Sequence, residues 1–307
     1  MPLVNSLVQD SYAPRTLLNY ARVWRRFQEF LSSLALPSTL PVPRDSIALY
    51  LAALSREGRG PSTIRGTLTA IGWKHKIAGV RDPSGDFLLS RMIKGIRRAR
   101  PHPPNRVLPV TVDILHRILG VIPGVTGAPY EAALMGALFL LAYYGAFRVG
   151  ELAKSGTLAH TIKLEHVVLG RGKGGDSVEL TLPSFKFSKG EVSLLLPPAP
   201  ASLFCPVRAL SLYLSLRPSG PGPLFISKSG APITRAQVAK VLKRCVGDIG
   251  LDPRSYNTHS LRVGRATDLA AGGASEAIIR ETGRWSSNAF LDYIRFKTFE
   301  LPQAPPS

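Results

Sequence analysis

Residues 257–295 read NTHSLRVGRATDLAAGGASEAIIRETGRWSSNAFLDYIR, and the helix breaks in this stretch organise everything upstream of it. Thr258 is expected to cap a helix over Thr258–Ala271 that stops at Gly272-Gly273. Ser275 is expected to cap a second helix to Thr282, closed by Gly283, and Ser286 or Ser287 a third over Ser287–Phe299. His259 and Arg262, three residues apart, would then share one face of a helix N-terminus that already favours anions. Arg284-Trp285 would occupy the corner between helices. Tyr293 would lie about two turns into the last helix, with Phe290, Ile294 and Leu291 packing that helix against the body.

Upstream, Val207–Leu216 and Thr234–Gly247 have helical patterning, and Thr161–Val168, Ser177–Pro183 and Val192–Leu196 alternate like strands of a small antiparallel sheet. The turn Phe185-Lys186-Phe187-Ser188-Lys189-Gly190 projects two lysines. Thr111–Leu119 and Tyr130–Tyr144 are expected helices; the longest uncharged run, Ala132–Phe147, is shorter than the roughly 20 apolar residues of a membrane span and predicts a buried helix. It leads into Gly145-Ala146-Phe147-Arg148-Val149-Gly150-Glu151, where Glu151 is close enough to hold the Arg148 guanidinium.

The first hundred residues predict a four-helix bundle: an amphipathic helix over Pro14–Leu34, then Arg44–Arg56, Pro61–Ala78 and Asp86–Arg100. Candidate contacts for a polyanion here are Arg22, Arg25, Arg26, Arg65, Lys74, Arg91, Lys94, Arg97 and Arg98, with Lys189 from the hairpin turn. The prolines of Pro101-His102-Pro103-Pro104-Asn105-Arg106 cannot continue a helix. The expected division is therefore 1–100, a linker over 101–110, a second domain over 111–300 that is mainly α with an inserted antiparallel sheet, and a proline-rich tail over 301–307.

Lys and Arg number 39 against 20 Asp and Glu, a formal charge of +19. Residues 1–100 carry 16 − 6 = +10 and the remainder 23 − 14 = +9, so no single tail accounts for the excess. Nucleic acid is the partner such a field attracts. Cys205 and Cys245 form no CxxC pair and the six histidines no HxxxH pair, so neither a disulfide framework nor a metal site is expected. Asp10 precedes any apolar run, so no secretory leader is expected, and the two unpaired cysteines predict a reducing, intracellular setting.

Cleaving a phosphodiester without a metal requires a nucleophile, cationic donors for the non-bridging oxygens and an acid for the departing oxygen. Tyr293, the pair Arg148 and Arg262, and one of Lys186 and Lys189 supply these residue types. The Trp285 indole could donate its N–H to a phosphate oxygen, and His259 lies with Arg262 where a phosphate would bind readily. Clustered cations would favour the phenolate of a tyrosine whose ordinary pKa is near 10.

In this order, Arg-x-x-Glu, a lysine hairpin, His-x-x-Arg, Gly-Arg-Trp and Tyr, the chain resembles the tyrosine recombinase, or phage integrase, family, from Thr16-Leu17-Leu18-Asn19-Tyr20 to Arg295. The Gly283-Arg284-Trp285-Ser286-Ser287 form resembles eukaryotic mobile-element recombinases of the DIRS and Crypton kinds. The resemblance implies a helical core-binding domain and an integrase-like catalytic domain closing on double-stranded DNA. It implies that Tyr293 forms a 3′-phosphotyrosyl link, with Arg148, His259, Arg262 and Trp285 at the family's phosphate-binding positions. Lys186 best matches the family general acid, Lys189 next and Lys173 third. A tetramer on DNA is implied, with no cofactor and no ATP, and a nuclear location if the source is a eukaryotic element. A type IB topoisomerase-like relaxase and a domesticated DNA-binding protein are the competing readings.

Overall fold

The computed structural model describes residues 7–8, 10–99, 107–156, 158, 160–172, 175–183, 191–196, 204–285, 290–291 and 294. The chain divides into two units, Met1–Asn105 and Arg106–Ser307.

In the first unit, α1 (Pro14–Ser33) and α3 (Pro61–Ile77) both open on a proline, whose missing N–H is an orphan at the first helical position anyway. With α2 (Arg44–Arg56) and α4 (Phe87–Ala99) they enclose a core built on Phe27, Leu31, Ile47, Leu51, Ile64, Ile71 and Leu89. The arginines of α1 fall off this packed face: Arg22, Arg25 and Arg26 are exposed. His75 is core rather than surface. Its Nδ1 lies 2.8 Å from the Ile71 carbonyl and its Nε2 accepts the Val42 N–H at 3.1 Å, so the imidazole ties α3 to the chain entering α2.

The second unit is built around α6 (Pro129–Tyr144), which is apolar on all sides because it is covered on all sides, with Leu134, Leu138, Phe139, Leu141 and Ala142 at the centre of the main core. α5 (Val112–Thr126) packs on it and runs longer than the expected stop at Leu119. It passes through Pro123 because burial of Ile118, Ile122 and Val125 outweighs the one lost backbone bond, and it ends at Gly127, whose φ of 72° is the left-handed conformation glycine adopts freely. A short α7 (Val149–Leu152) precedes the sheet, and α8 (Pro206–Leu216), α9 (Arg235–Asp248), α10 (Ser260–Ala271) and α11 (Glu276–Gly283) follow it.

The sheet is antiparallel in the order β1 (Val167–Gly172), β2 (Gly175–Leu182), β3 (Val192–Leu196), with Val167 opposite Leu180 and Val178 opposite Leu196. Val178, Leu180, Leu182 and Leu196 are buried. The first strand begins six residues later than the expected Thr161. The Ile162 N–H donates to the Glu151 carbonyl and the Ile162 carbonyl accepts from Leu224 N–H, so Ile162 is paired locally before a 3₁₀ turn over Leu164–His166 delivers the chain to β1.

Candidate active site

Tyr144 ends α6, and the chain turns through Gly145 and Ala146 before Arg148 heads α7. Ala146 has a φ of 43°, rare for a residue with a side chain. Glu151, buried, reaches back to this turn. Its Oε2 accepts the Arg148 backbone N–H at 2.9 Å and its Oε1 accepts from Arg148 Nη1 at 3.0 Å. The Arg148 side chain is 35% exposed, so its guanidinium is oriented by Glu151 and still open to a ligand.

α10 supplies the second cluster. Thr258, expected as its cap, is buried in the preceding turn and does not cap; the helix starts at Ser260 with His259 at the N-cap position. An Asx-type turn does the ordering instead: Asn257 Oδ1 accepts the His259 N–H at 2.7 Å, and Ser260 Oγ accepts the Asn257 N–H at 3.0 Å. Burial, reinforced by the charges of Arg262, Arg148 and Arg235, pulls the His259 imidazole down to about 4. It is therefore neutral at pH 7, with one nitrogen to donate and one to accept.

Arg262 is completely buried. Its Nη1 donates to the Ala146 carbonyl at 2.7 Å, its Nη2 donates to the Gly283 carbonyl, and its guanidinium stacks 4.4 Å from the Trp285 ring. Hydrogen bonds to a charged group contribute about 1.5–3 kcal/mol, and a desolvated cation on an indole face about 2 kcal/mol. Arg262 thus fastens the turn carrying Arg148 to the end of α11.

α10 itself is held at both ends. Asp268 Oδ2 accepts the Val112 N–H at 2.7 Å and the Tyr143 hydroxyl, and this burial and carboxylate contact push the Tyr143 phenol well above its usual range. Gly264 lets the Val110 carbonyl approach so closely that a Cβ would sit 1.7 Å from it. The Val110 N–H donates to the Ser260 carbonyl at 2.9 Å.

Ser275 caps α11 as expected, its Oγ accepting the Ile278 N–H at 3.3 Å. The C-terminus closes as a Schellman turn, with Trp285 N–H donating to Arg280 O and Arg284 N–H to Glu281 O. Such a turn places its C′ residue in the left-handed region, where glycine is the default. Here that residue is Arg284, at φ 54° and ψ 46°, a conformation unfavourable for a residue with a Cβ by roughly 1–2 kcal/mol. Trp285 is buried with Ala266, Ile279 and Phe290, and forms the floor under Arg262.

The structure therefore brings Arg148, His259, Arg262 and Trp285 together. Lys186, Lys189, Lys173 and Tyr293 lie outside the described residues, as does most of the expected helix Ser287–Phe299. Phe290 is fully buried and Ile294 packs beside it, but Leu291 is 48% exposed, so it does not belong to the packed face expected of it. In the first unit, Arg65, Arg91, Lys94, Arg97 and Arg98 are exposed, and Lys74 is half-buried beside Trp24. Arg65 and Arg97 line one cleft with Ser62, Gly66 and Thr69. Arg22 and Arg26 line another that also holds Glu29 and Glu57. Among the described residues, no helix is long and apolar enough to cross a membrane and no His, Cys, Asp or Glu group is placed to hold a metal ion.

Two residues of this region escaped the sequence reading. Arg235, at the head of α9, contributes charge to the His259 pocket. Arg284 reaches back to the Arg148 turn, where it donates to the Gly145 carbonyl and to Glu151.

Residues 117–293 match the model of the phage integrase family. The chain belongs to the phage integrase family. The family match spans Arg148, Lys186, His259, Arg262, Trp285 and Tyr293. Relatives include the integrase/recombinase xerD homolog of Selenomonas ruminantium, 27% identical over 94% of this chain and 83% of that protein. Tyrosine recombinase XerC of Halalkalibacterium halodurans is 24% identical over 89% and 84%. Among solved structures, the XerH site-specific recombinase bound to palindromic difH substrate superposes with a TM-score of 0.65 at 17% identity, over 89% of this chain and 74% of that one. A lambda integrase (75–356) dimer bound to a COC′ core site gives 0.64 at 17% identity, over 99% and 96%. For this phage integrase family member, those superpositions define a shared fold.

Proposed function

We propose that this chain is a site-specific DNA recombinase that cleaves and rejoins double-stranded DNA through Tyr293. The Tyr293 phenolate, the form the clustered cations favour, attacks phosphorus, the P–O5′ bond breaks, and Lys186 passes its proton to the departing 5′-oxygen. The resulting 3′-phosphotyrosyl ester keeps the energy of the broken bond, so a second 5′-hydroxyl reverses the step without ATP. Arg148 donates to a non-bridging oxygen, neutral His259 donates or accepts at the same phosphate, and Arg262, seated on Trp285, supplies fixed positive charge from behind.

The observation that carries this reading is the frame in which buried Arg262, stacked on Trp285, bonds the turn that presents the Glu151-oriented Arg148, with His259 at the head of the same helix as Arg262, in a chain of this family. Two guanidinium groups held in one frame, with the imidazole at the same helix head, favour an anion there. The exposed arginines of α1, α3 and α4 belong to the same reading as contacts to DNA phosphates. Exchange of strands calls for a tetramer on two sites. Gly283 to Ser287 supports the narrower likeness to DIRS and Crypton recombinases, which would place the protein in a nucleus.

A nicked duplex whose short 5′ fragment diffuses away tests the proposal. Wild-type protein is expected to accumulate covalently on this DNA, and Tyr293→Phe to bind it without accumulating. Capture that persists in Tyr293→Phe refutes the nucleophile. Lys186→Ala is expected to regain cleavage when the leaving oxygen is replaced by sulfur, which needs no proton; recovery by Lys189→Ala instead moves the general acid. Relaxation of supercoiled plasmid without exchange between two sites would assign the chain to topoisomerase-like relaxation.

A further inference from the structure

Arg284 has no role in the chemistry above, yet the chain accepts an unfavourable backbone conformation to keep it. Its side chain is only 4% exposed and its guanidinium sits over Phe147, 4.8 Å from the ring centre. From there the guanidinium forks across the turn that leads into Arg148. Nη1 donates to the Gly145 carbonyl at 2.9 Å and more weakly to Thr282 O at 3.4 Å. Nη2 donates to Glu151 Oε2 at 3.0 Å and to the Ala146 carbonyl at 3.4 Å. Glu151 Oε2 is the same oxygen that accepts the Arg148 backbone N–H.

We propose that Arg284 is a positioning residue for Arg148, sharing the Glu151 carboxylate with it so that the Arg148 guanidinium is held in place without being neutralised. Two arginines around one carboxylate leave the trio with a net charge of +1. With Arg284 removed, Arg148 and Glu151 become a neutral pair, and a pair half-buried from water draws closer together. Arg148 would then turn inward, away from an incoming phosphate, at the same time as the Gly145-Ala146 carbonyls lost their shared donor. The fork geometry matters as well as the charge, because four acceptors on three segments must be met at once; an ammonium on a flexible stem meets fewer.

This inference rests on the reading of Arg148 as a phosphate ligand, and the experiment separates the two. Arg284→Gly places the residue suited to the left-handed turn at position 284, so the helix end is preserved while the fork is deleted. In the full-length protein, duplex affinity is expected to stay within about 3-fold of wild type, since many other phosphates carry binding. The rate of covalent capture at saturating protein is expected to fall by about 100-fold, the scale of misplacing one preorganised donor. In an Arg148→Lys background the same change is expected to lower the rate by less than about 3-fold, because the two residues act through one interaction. Arg284→Lys, which restores the cation but not the fork, is expected to recover about tenfold of the loss.

A wild-type capture rate for Arg284→Gly overturns the proposal, as does an equal loss in both backgrounds, which is what a purely structural tie would give. Should Arg284→Gly fail to fold, Arg284→Lys decides: a loss of about tenfold that vanishes in the Arg148→Lys background supports the proposal, and a wild-type rate refutes it. Absence of capture by the wild-type protein would instead remove the recombinase reading itself.

Discussion

Replacing Gly283 with alanine puts a methyl carbon 1.7 Å from Cζ3, 2.1 Å from Cε3 and 2.2 Å from Cη2 of Trp285. Restoring ordinary van der Waals contact, which begins at 3.4 Å, moves ring and backbone apart by about 1.7 Å. That displacement cannot be absorbed locally. The indole is the surface on which Arg262 stacks, and the Gly283 carbonyl accepts from its guanidinium. Overpacking of this kind lowers stability by about 1–3 kcal/mol, and each kcal/mol lowers Tm by roughly 2–4 °C in a unit of this size. A donor shifted by about 1 Å loses roughly 100-fold in rate. Thermal melting and capture on the nicked duplex read the two effects separately. Gly120→Ala is the control: its Cβ meets nothing within 4 Å, and replacing a glycine inside α5 is expected to stabilise by about 0.5–1 kcal/mol with capture unchanged. Gly283→Ala protein that melts and cleaves like wild type would refute the linkage from Gly283 through Trp285 to Arg262.

Three further expectations follow from named contacts. His259 is held at about 4 in the folded protein against 6.5 unfolded, so its contribution to stability is complete above pH 6.5 and disappears as pH falls toward 4. The loss is on the order of 3 kcal/mol, and denaturant melts of wild type and His259→Gln should converge as the buffer is acidified; an imidazole that titrates near 6.5 by NMR would contradict the burial argument. Asp268→Ala leaves the Val112 N–H and the Tyr143 hydroxyl without their acceptor, at about 1–3 kcal/mol each, whereas Asp268→Asn retains an acceptor oxygen and should lose less. Finally, Arg97→Ala should reduce the slope of log K against log salt by about 1 on any duplex sequence, and an unchanged slope would remove this side chain from the phosphate contacts.

The parts of the fold that repeat along the chain were readable from it. The period of α1, the unbroken apolar run of α6 and the prolines after residue 100 each state a local requirement, and the structure meets the first two where expected. Thr161-Ile162 misled because apolar alternation cannot say which partner a short segment pairs with; Glu151 and Leu224 claim it before the sheet does. The HxxR spacing located the head of α10, yet not its capping, since Asn257 and Ser260 outcompete Thr258 through contacts visible only in three dimensions. Likewise Arg148 and Glu151 were legible as a pair three residues apart. Arg284 as the third member was not, because it reaches that pair from more than a hundred residues away.

The seat of Arg262 has one more property. Two of its hydrogen-bond acceptors are peptide carbonyls, of Ala146 and Gly283, so no exchange of side-chain chemistry at those two positions deletes either one. What the arginine senses is the path of the main chain: a left-handed kink at Ala146 and the last turn of α11. A replacement at either position that keeps its peptide plane in place leaves that bond to the cation as it was.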